Sequence, residues 1–410
     1  MSFLSSPHEA FSAGFYRDSD FDFAVRGLLG HASAGGSEPG EVFATIAGVK
    51  DGDHQAWFSA WHSLGLRLLA LGDQLRESEH FDSASGTYLR AASYLTLAVD
   101  SATDAERLDV FREHRRAWDG FIDTTVYSAS RVAIPYEGGD LPGYLIRPSD
   151  DDEPRATLIL NNGSDGSHSS MWGDGAYGAL ARGYNVLFFD GPGQQSLLFE
   201  RGIPFRHDWE KVITPVVDFL LDRPDVDGER IAVYGISQGG YWVPRALAFE
   251  KRIAAAIVDP AVVDVSTSWL GQLPSPLRKL FDDGKREAFD RDMAIGMRFG
   301  ASTARIWAFR ARPFHAGSSE PESYFDTLTE VRRYALGDLV AQITTPVFIT
   351  APEDEQFWPG QSEQFAEALA AEKVLQPFTA AEGANFHCQP LARTLTDQRM
   401  FDWLDAELAR

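Results

Sequence analysis

From about residue 131 onward the chain alternates short apolar runs with helical stretches, and several of those runs have no polar face at all. Residues 156–160 read ATLIL and residues 185–190 read NVLFFD. A strand built this way must be covered on both sides, which calls for a mostly parallel sheet between layers of helices. Eight strand-like runs can be placed: Arg131–Tyr136, Gly143–Arg147, Thr157–Asn161, Asn185–Asp190, Arg230–Tyr234, Ala254–Val258, Pro346–Thr350 and Val374–Phe378. The first two precede the alternation and should form an antiparallel edge hairpin.

Two regions fall outside this rhythm. Before residue 130 helical spacing dominates. Ala56–Gly72 sets Trp57, Trp61, Leu64, Leu68 and Leu71 on one face at steps of three and four. Asp82–Asp100 behaves alike through Tyr88, Ala91, Ala92, Leu95 and Val99, and a third helix is expected from Thr103 to Ile122. Residues 1–129 therefore read as a helical N-terminal domain, some of whose aromatics could roof a site carried by the later part of the chain. The second break lies between Pro260 and Pro346, an interval of about 85 residues. A parallel crossover needs far fewer. Residues 264–340 are thus expected to be a helical cap insertion, leaving 130–263 and 341–410 as the core.

Composition excludes several roles. The chain has 60 acidic and 37 basic residues and a formal charge of −23, a field that repels a phosphate backbone, so no nucleic-acid partner is expected. No run of 18 uncharged apolar residues could form a membrane span. The N-terminus lacks a basic start followed by an apolar stretch, so no signal peptide is read and a cytoplasmic location is expected. Cys388 is the single cysteine, which excludes an internal disulfide and a thiolate zinc cluster. No His/Asp cluster has metal-ligand spacing. No metal or other cofactor is expected.

The most informative segment is RIAVYGISQGGYWVPRALAFE, Arg230–Glu250. Gly235-x-Ser237-x-Gly239 follows an apolar strand and opens a helix. In so tight a turn the serine adopts strained backbone angles, and side chains two residues away on either side would collide. Ser237 is the candidate nucleophile, and the helix beginning at Gln238 would aim free amides at a developing oxyanion. A serine needs a base. Of the two histidines after Ser237, His315 lies in the expected cap. His387 follows the last strand and precedes the last helix, where a base could reach the turn. Cys388 beside it reads as a packed side chain.

The acid that orients the base should follow the penultimate strand, which runs into Pro352-Glu353-Asp354-Glu355. Asp354 is the choice among the three acids, with Glu353 and Glu355 as solvated turn residues. The loop after the third strand, Asn161–Ser167, carries Gly163 and Gly166 and could supply a second oxyanion amide. The amides of Gln238 and Ser164 are the candidates. Asp190-Gly191-Pro192-Gly193 reads as a structural turn, with Gln194, Gln195 and Ser196 able to line the site. Tyr241, Trp269, Trp307 and Trp358 are candidate substrate-contacting residues, although residues of each kind are more often core.

With these residues in place, the chain resembles the α/β-hydrolase superfamily over about residues 130–410. The helical N-terminal extension, the GISQGGYW turn and the DGPGQ turn at Asp190–Gln194 resemble a narrower group. That group holds the fungal Ayg1-type pigment-precursor hydrolases and 2,6-dihydroxypseudooxynicotine hydrolase. The resemblance implies an α/β-hydrolase fold with a cap and a triad at Ser237, Asp354 and His387. It also implies cleavage of a carbon–carbon bond next to a ketone in an aromatic or polyketide-like small molecule, and a homodimer. An esterase, thioesterase or acyltransferase of secondary metabolism is the alternative, and a non-catalytic ligand-binding protein a remoter one.

Overall fold

The computed structural model describes residues 14–151, 153–315 and 323–409. Residues 1–13, the start of the segment read as free of a signal peptide, and residues 316–322 of the expected cap lie outside the described residues.

Among the described residues, five α-helices come first: α1 (Ser19–His31), α2 (Pro39–Ile46), α3 (His54–Glu77), α4 (Phe81–Ser101) and α5 (Arg107–Thr124). Asp18 starts α1 by accepting the amides of Asp20 and Phe21, and Asp53 starts α3 by accepting that of Ala56. On α3, Trp57, Trp61, Leu64 and Leu68 are buried as their spacing requires. Leu71 is not. It is 41% exposed, and Gly72 takes the inward place, where the Tyr88 ring leaves no room for a side chain. A helix turning at 3.6 residues carries the fifth member of the stripe to position 72. The helices do not keep a core to themselves. Trp118 meets Phe188 of the sheet edge-on at 5.3 Å, and Phe121 meets Trp172 at 4.7 Å, so this region covers one face of the sheet.

The sheet has eight strands in the order β1-β2-β4-β3-β5-β6-β7-β8. β1 (Ser128–Tyr136) and β2 (Gly139–Arg147) form the expected antiparallel edge hairpin, and β2 also runs antiparallel to β4. Every other pairing is parallel. β3 (Arg155–Asn161), β4 (Asn185–Phe189), β5 (Val226–Ile236) and β6 (Ala255–Asp259) form the centre. Each residue of β4 and β6 is buried, as strands without a polar face must be. α6 (Glu210–Leu221) and α7 (Gly239–Leu247) join these strands.

After β6 comes the insertion: α8 (Ser275–Asp282), α9 (Arg286–Phe299), α10 (Ala301–His315) and α11 (Tyr324–Val331). Its aromatics pack among themselves and on the core, with Phe314 against Phe205 and the Pro313 carbonyl accepting the Phe205 amide. β7 (Val347–Pro352), α12 (Gln361–Ala368), β8 (Lys373–Phe378) and α13 (Arg393–Leu408) complete the chain. Among the described residues, no helix is long and apolar enough to cross a membrane. The loops that leave β3, β5, β6, β7 and β8 gather at the carboxyl end of the parallel strands, where ligands of open α/β sheets bind.

Candidate active site

Ser237 occupies the left-handed region at φ 54°, a conformation that costs energy for a residue with a β-carbon. Its neighbours explain how the turn is tolerated. A β-carbon on Gly235 would lie 2.5 Å from the Gly239 carbonyl oxygen, and one on Gly239 would lie 2.8 Å from that of Asn161. The Ser237 amide donates to the Asp259 carbonyl at 2.7 Å, and the Gly240 amide to Ser237 O at 2.8 Å, so both sides of the turn are tied down.

His387 Nε2 lies 2.9 Å from Ser237 Oγ, joining residues 150 positions apart. Its Nδ1 lies 2.8 Å from Oε2 and 2.9 Å from Oε1 of Glu355. The carboxylate facing His387 is thus that of Glu355, not of the expected Asp354. Asp354 extends β7 in an isolated bridge to Phe386, and its exposed side chain turns aside to accept the Asn385 amide at 2.6 Å. Successive side chains of an extended segment point in opposite directions, so the next residue faces the imidazole. There Glu355 is held by the amides of Phe357 and Trp358. Its side chain is 6% exposed and that of His387 is 3%.

Burial by itself would lower the His387 pKa, but the Glu355 carboxylate outweighs it and holds the imidazole above its usual value. Burial would raise the Glu355 pKa, and the facing imidazole with the two amides brings it below the ordinary range instead. His315 stands apart, its Nε2 2.7 Å from Thr327 Oγ1 inside the cap. Cys388 is buried, its thiol donates to the Asp259 carbonyl, and burial raises its pKa. A thiol so placed is a packing residue.

The loop after β3 presses on Ser237. A β-carbon on Gly163 would come within 2.9 Å of Ser237 Cβ. The Gly163 amide is occupied by Asn162 Oδ1 at 2.8 Å, and Ser164 follows, its hydroxyl donating to Asp165. Gln238 is buried at the start of α7. Gln194 Nε2 donates to the carbonyls of Asn162 (3.0 Å) and Gly163 (2.8 Å), and Gln195 Nε2 to that of Gly166 (2.8 Å). These glutamines brace the loop. Asp190, fully buried, anchors their turn by accepting from Ser196 and from Arg115 of α5 at 2.7 Å, with His168 Nε2 also 2.7 Å away.

Of the four proposed contact residues, Trp358 stands nearest His387, with ring centroids 5.7 Å apart, and its indole N–H donates to Val265 O. Trp269 and Trp307 meet edge-on at 5.2 Å in the cap. Tyr241 belongs to the core: it is fully buried and its hydroxyl donates to His207 O. Two rings not singled out from the sequence flank His387, Phe357 at 4.7 Å and Phe23 of α1 at 6.3 Å. Phe23 lies in an acidic stretch whose periodicity offers little, and Phe357 is a loop residue, so neither carried a signal.

Residues 158–393 match the model of the alpha/beta hydrolase family. The chain is 31% identical to hydrolase acrC of Aspergillus aculeatus, covering 96% of this chain and 97% of the relative. It is 30% identical to the 20-hydroxy-prefusarin hydrolase of Gibberella moniliformis, covering 98% of both. Among solved structures, 2,6-dihydroxy-pseudo-oxynicotine hydrolase superposes with a TM-score of 0.71 at 20% identity, over 92% of this chain and 95% of the other. Sequence match and fold together make this chain a hydrolase of the α/β-hydrolase family.

Proposed function

We propose that the protein is a serine hydrolase working through an acyl-enzyme, with Ser237 as nucleophile, His387 as base and Glu355 as the acid that orients it. The observation carrying this reading is the position of His387, within hydrogen-bond reach of Ser237 Oγ on one nitrogen and of Glu355 on the other. Ser237 Oγ attacks a substrate carbonyl as its proton passes to His387 Nε2. The amides of Gln238 and Ser164 hold the tetrahedral oxyanion. The imidazolium, stabilised by Glu355, then protonates the leaving group. Water attacks the acyl-enzyme with His387 again as base and releases the acid.

The favoured substrate is an aromatic or polyketide-like small molecule cleaved at a carbon–carbon bond next to a ketone. There the departing electron pair must be delocalised into a second carbonyl or a phenol before protonation. The resemblance to the pigment-precursor group supports this preference, and aromatic rings beside His387 suit a flat substrate. A panel of 1,3-diketones, acyl-phenols, simple esters and thioesters, assayed with wild type and Ser237→Ala, tests it. Diketone turnover that vanishes in Ser237→Ala is expected. Turnover of esters or thioesters alone would move the protein to the esterase reading, and activity surviving Ser237→Ala would remove the nucleophile.

A further inference from the structure

Three arginines of α10 have different surroundings. Arg312 lies 3.0 Å from Asp104, and Arg305 lies 3.7 Å from Asp20 and 3.9 Å from Asp18, so both face carboxylates of the N-terminal region. Arg310 has no such pair among the described residues. Its one hydrogen bond to a described residue goes from Nη2 to Ser268 Oγ at 3.1 Å, and its guanidinium lies over the Trp269 ring, 4.8 Å from the centroid. Trp307, Arg310 and Phe314 recur at steps of three and four on one side of α10, and all three meet Trp269. Trp269 thus sets the plane of a cation that has four further N–H donors.

Ser268, which holds Arg310, donates to the Val265 carbonyl, and so does Trp358, whose ring centroid lies 5.7 Å from that of His387. Asp165, next to Ser164 in the loop that presses on Ser237, is within electrostatic range of both His387 and Arg310. Burial draws the Arg310 pKa down, as expected where water does not fully solvate the charge. A guanidinium partly withdrawn from water and without a contacting carboxylate among the described residues is best satisfied by an anionic oxygen group.

We propose that Arg310, oriented by Ser268 and Trp269, receives an anionic oxygen group of the substrate, a carboxylate or an ionised enol, so that the cap selects acidic substrates. This rests on the proposed active site for the place where the substrate lies, and its test is independent of turnover.

Binding to the full-length Ser237→Ala protein is measured by calorimetry with two matched pairs. One is 1-naphthoate against 1-naphthamide, for a carboxylate, and the other is a 4-hydroxy-2-pyrone against its O-methyl ether, for an acidic enol. In at least one pair the anion is expected to bind at least about tenfold tighter than its neutral partner. The preferring pair identifies the group. Adding Arg310→Met should bring that ratio close to one, and Arg310→Lys should keep part of it, since the charge remains but the fork is lost. Should Arg310→Met not fold, Ser268→Ala, which removes the orienting hydrogen bond, is expected to lower the same ratio. Equal binding within both pairs, or a preference that survives the substitutions, would overturn the proposal. Failure of the triad would instead appear as lost fluorophosphonate labelling of wild-type Ser237, with these binding ratios unaffected.

Discussion

His387 Nδ1 sits 2.8 Å from Glu355 Oε2, while Asp354, one residue earlier, is engaged with Asn385. Substituting the two acids should therefore give unequal results. Glu355→Gln is expected to lower kcat by about 10³–10⁴, the usual cost of losing the carboxylate behind a catalytic imidazole. Asp354→Asn should leave the rate nearly unchanged and cost about 1 kcal/mol of stability through its weakened hydrogen bond. Steady-state kinetics and thermal melts on both variants check this. Equal losses of rate would place the acid wrongly.

The pH profile follows from the same pair. The base must be neutral to accept the serine proton, and the folded His387 holds its proton above the ordinary 6.5. Activity should therefore rise with pH along a limb centred above 6.5. In Glu355→Gln that limb should move to lower pH, because the group raising the imidazole pKa is gone and burial remains. Rates of fluorophosphonate labelling of Ser237 against pH give both midpoints without a known substrate.

Gln194 bridges two carbonyls of the loop against Ser237. Gln194→Ala should loosen that loop without touching the triad. The expected result is a fall in kcat of about 10- to 100-fold with little change in melting temperature. A drop in stability with kcat retained would show a purely structural brace.

Asp397 of α13 is buried, and burial raises its pKa from 3.8 to about 7 despite the opposing charge of Arg393. The folded protein thus binds this proton more tightly than the unfolded chain. Stability is favoured while the carboxyl is protonated and declines as pH rises from about 4 through about 7. Asp397→Asn should raise the unfolding free energy at pH 8 by on the order of 1–3 kcal/mol, with a higher melting temperature, and change both little at pH 4.5. Calorimetric scans at the two pH values decide it.

The sheet was legible because strands buried on both faces leave an unbroken apolar signature, and all eight runs are strands. The meeting of Ser237 with His387 was legible because a glycine-flanked turn and a position after the last strand are fixed by the path of the chain. The carboxylate facing His387 was not. Three acids follow one another at the end of β7, and choosing among them needs the direction in which each side chain leaves the backbone. The bridge of Asp354 to Phe386 sets that direction, and a contact with a distant loop has no trace in local sequence. The N-terminal helices were legible as helices, but their burial against the sheet was not. Amphipathic spacing gives the face that is covered and says nothing of what covers it.

Asp259 ends β6 directly beneath the site. Its carbonyl receives the Ser237 amide and the Cys388 thiol, and its carboxylate receives Tyr234, Thr350, Gln389 and Arg393. Ser237 and the loop that carries His387 therefore hang from one shared post, and any drift of that post carries both the same way. Substitutions in the cap that leave this post in place should leave the spacing of Ser237 and His387 unchanged.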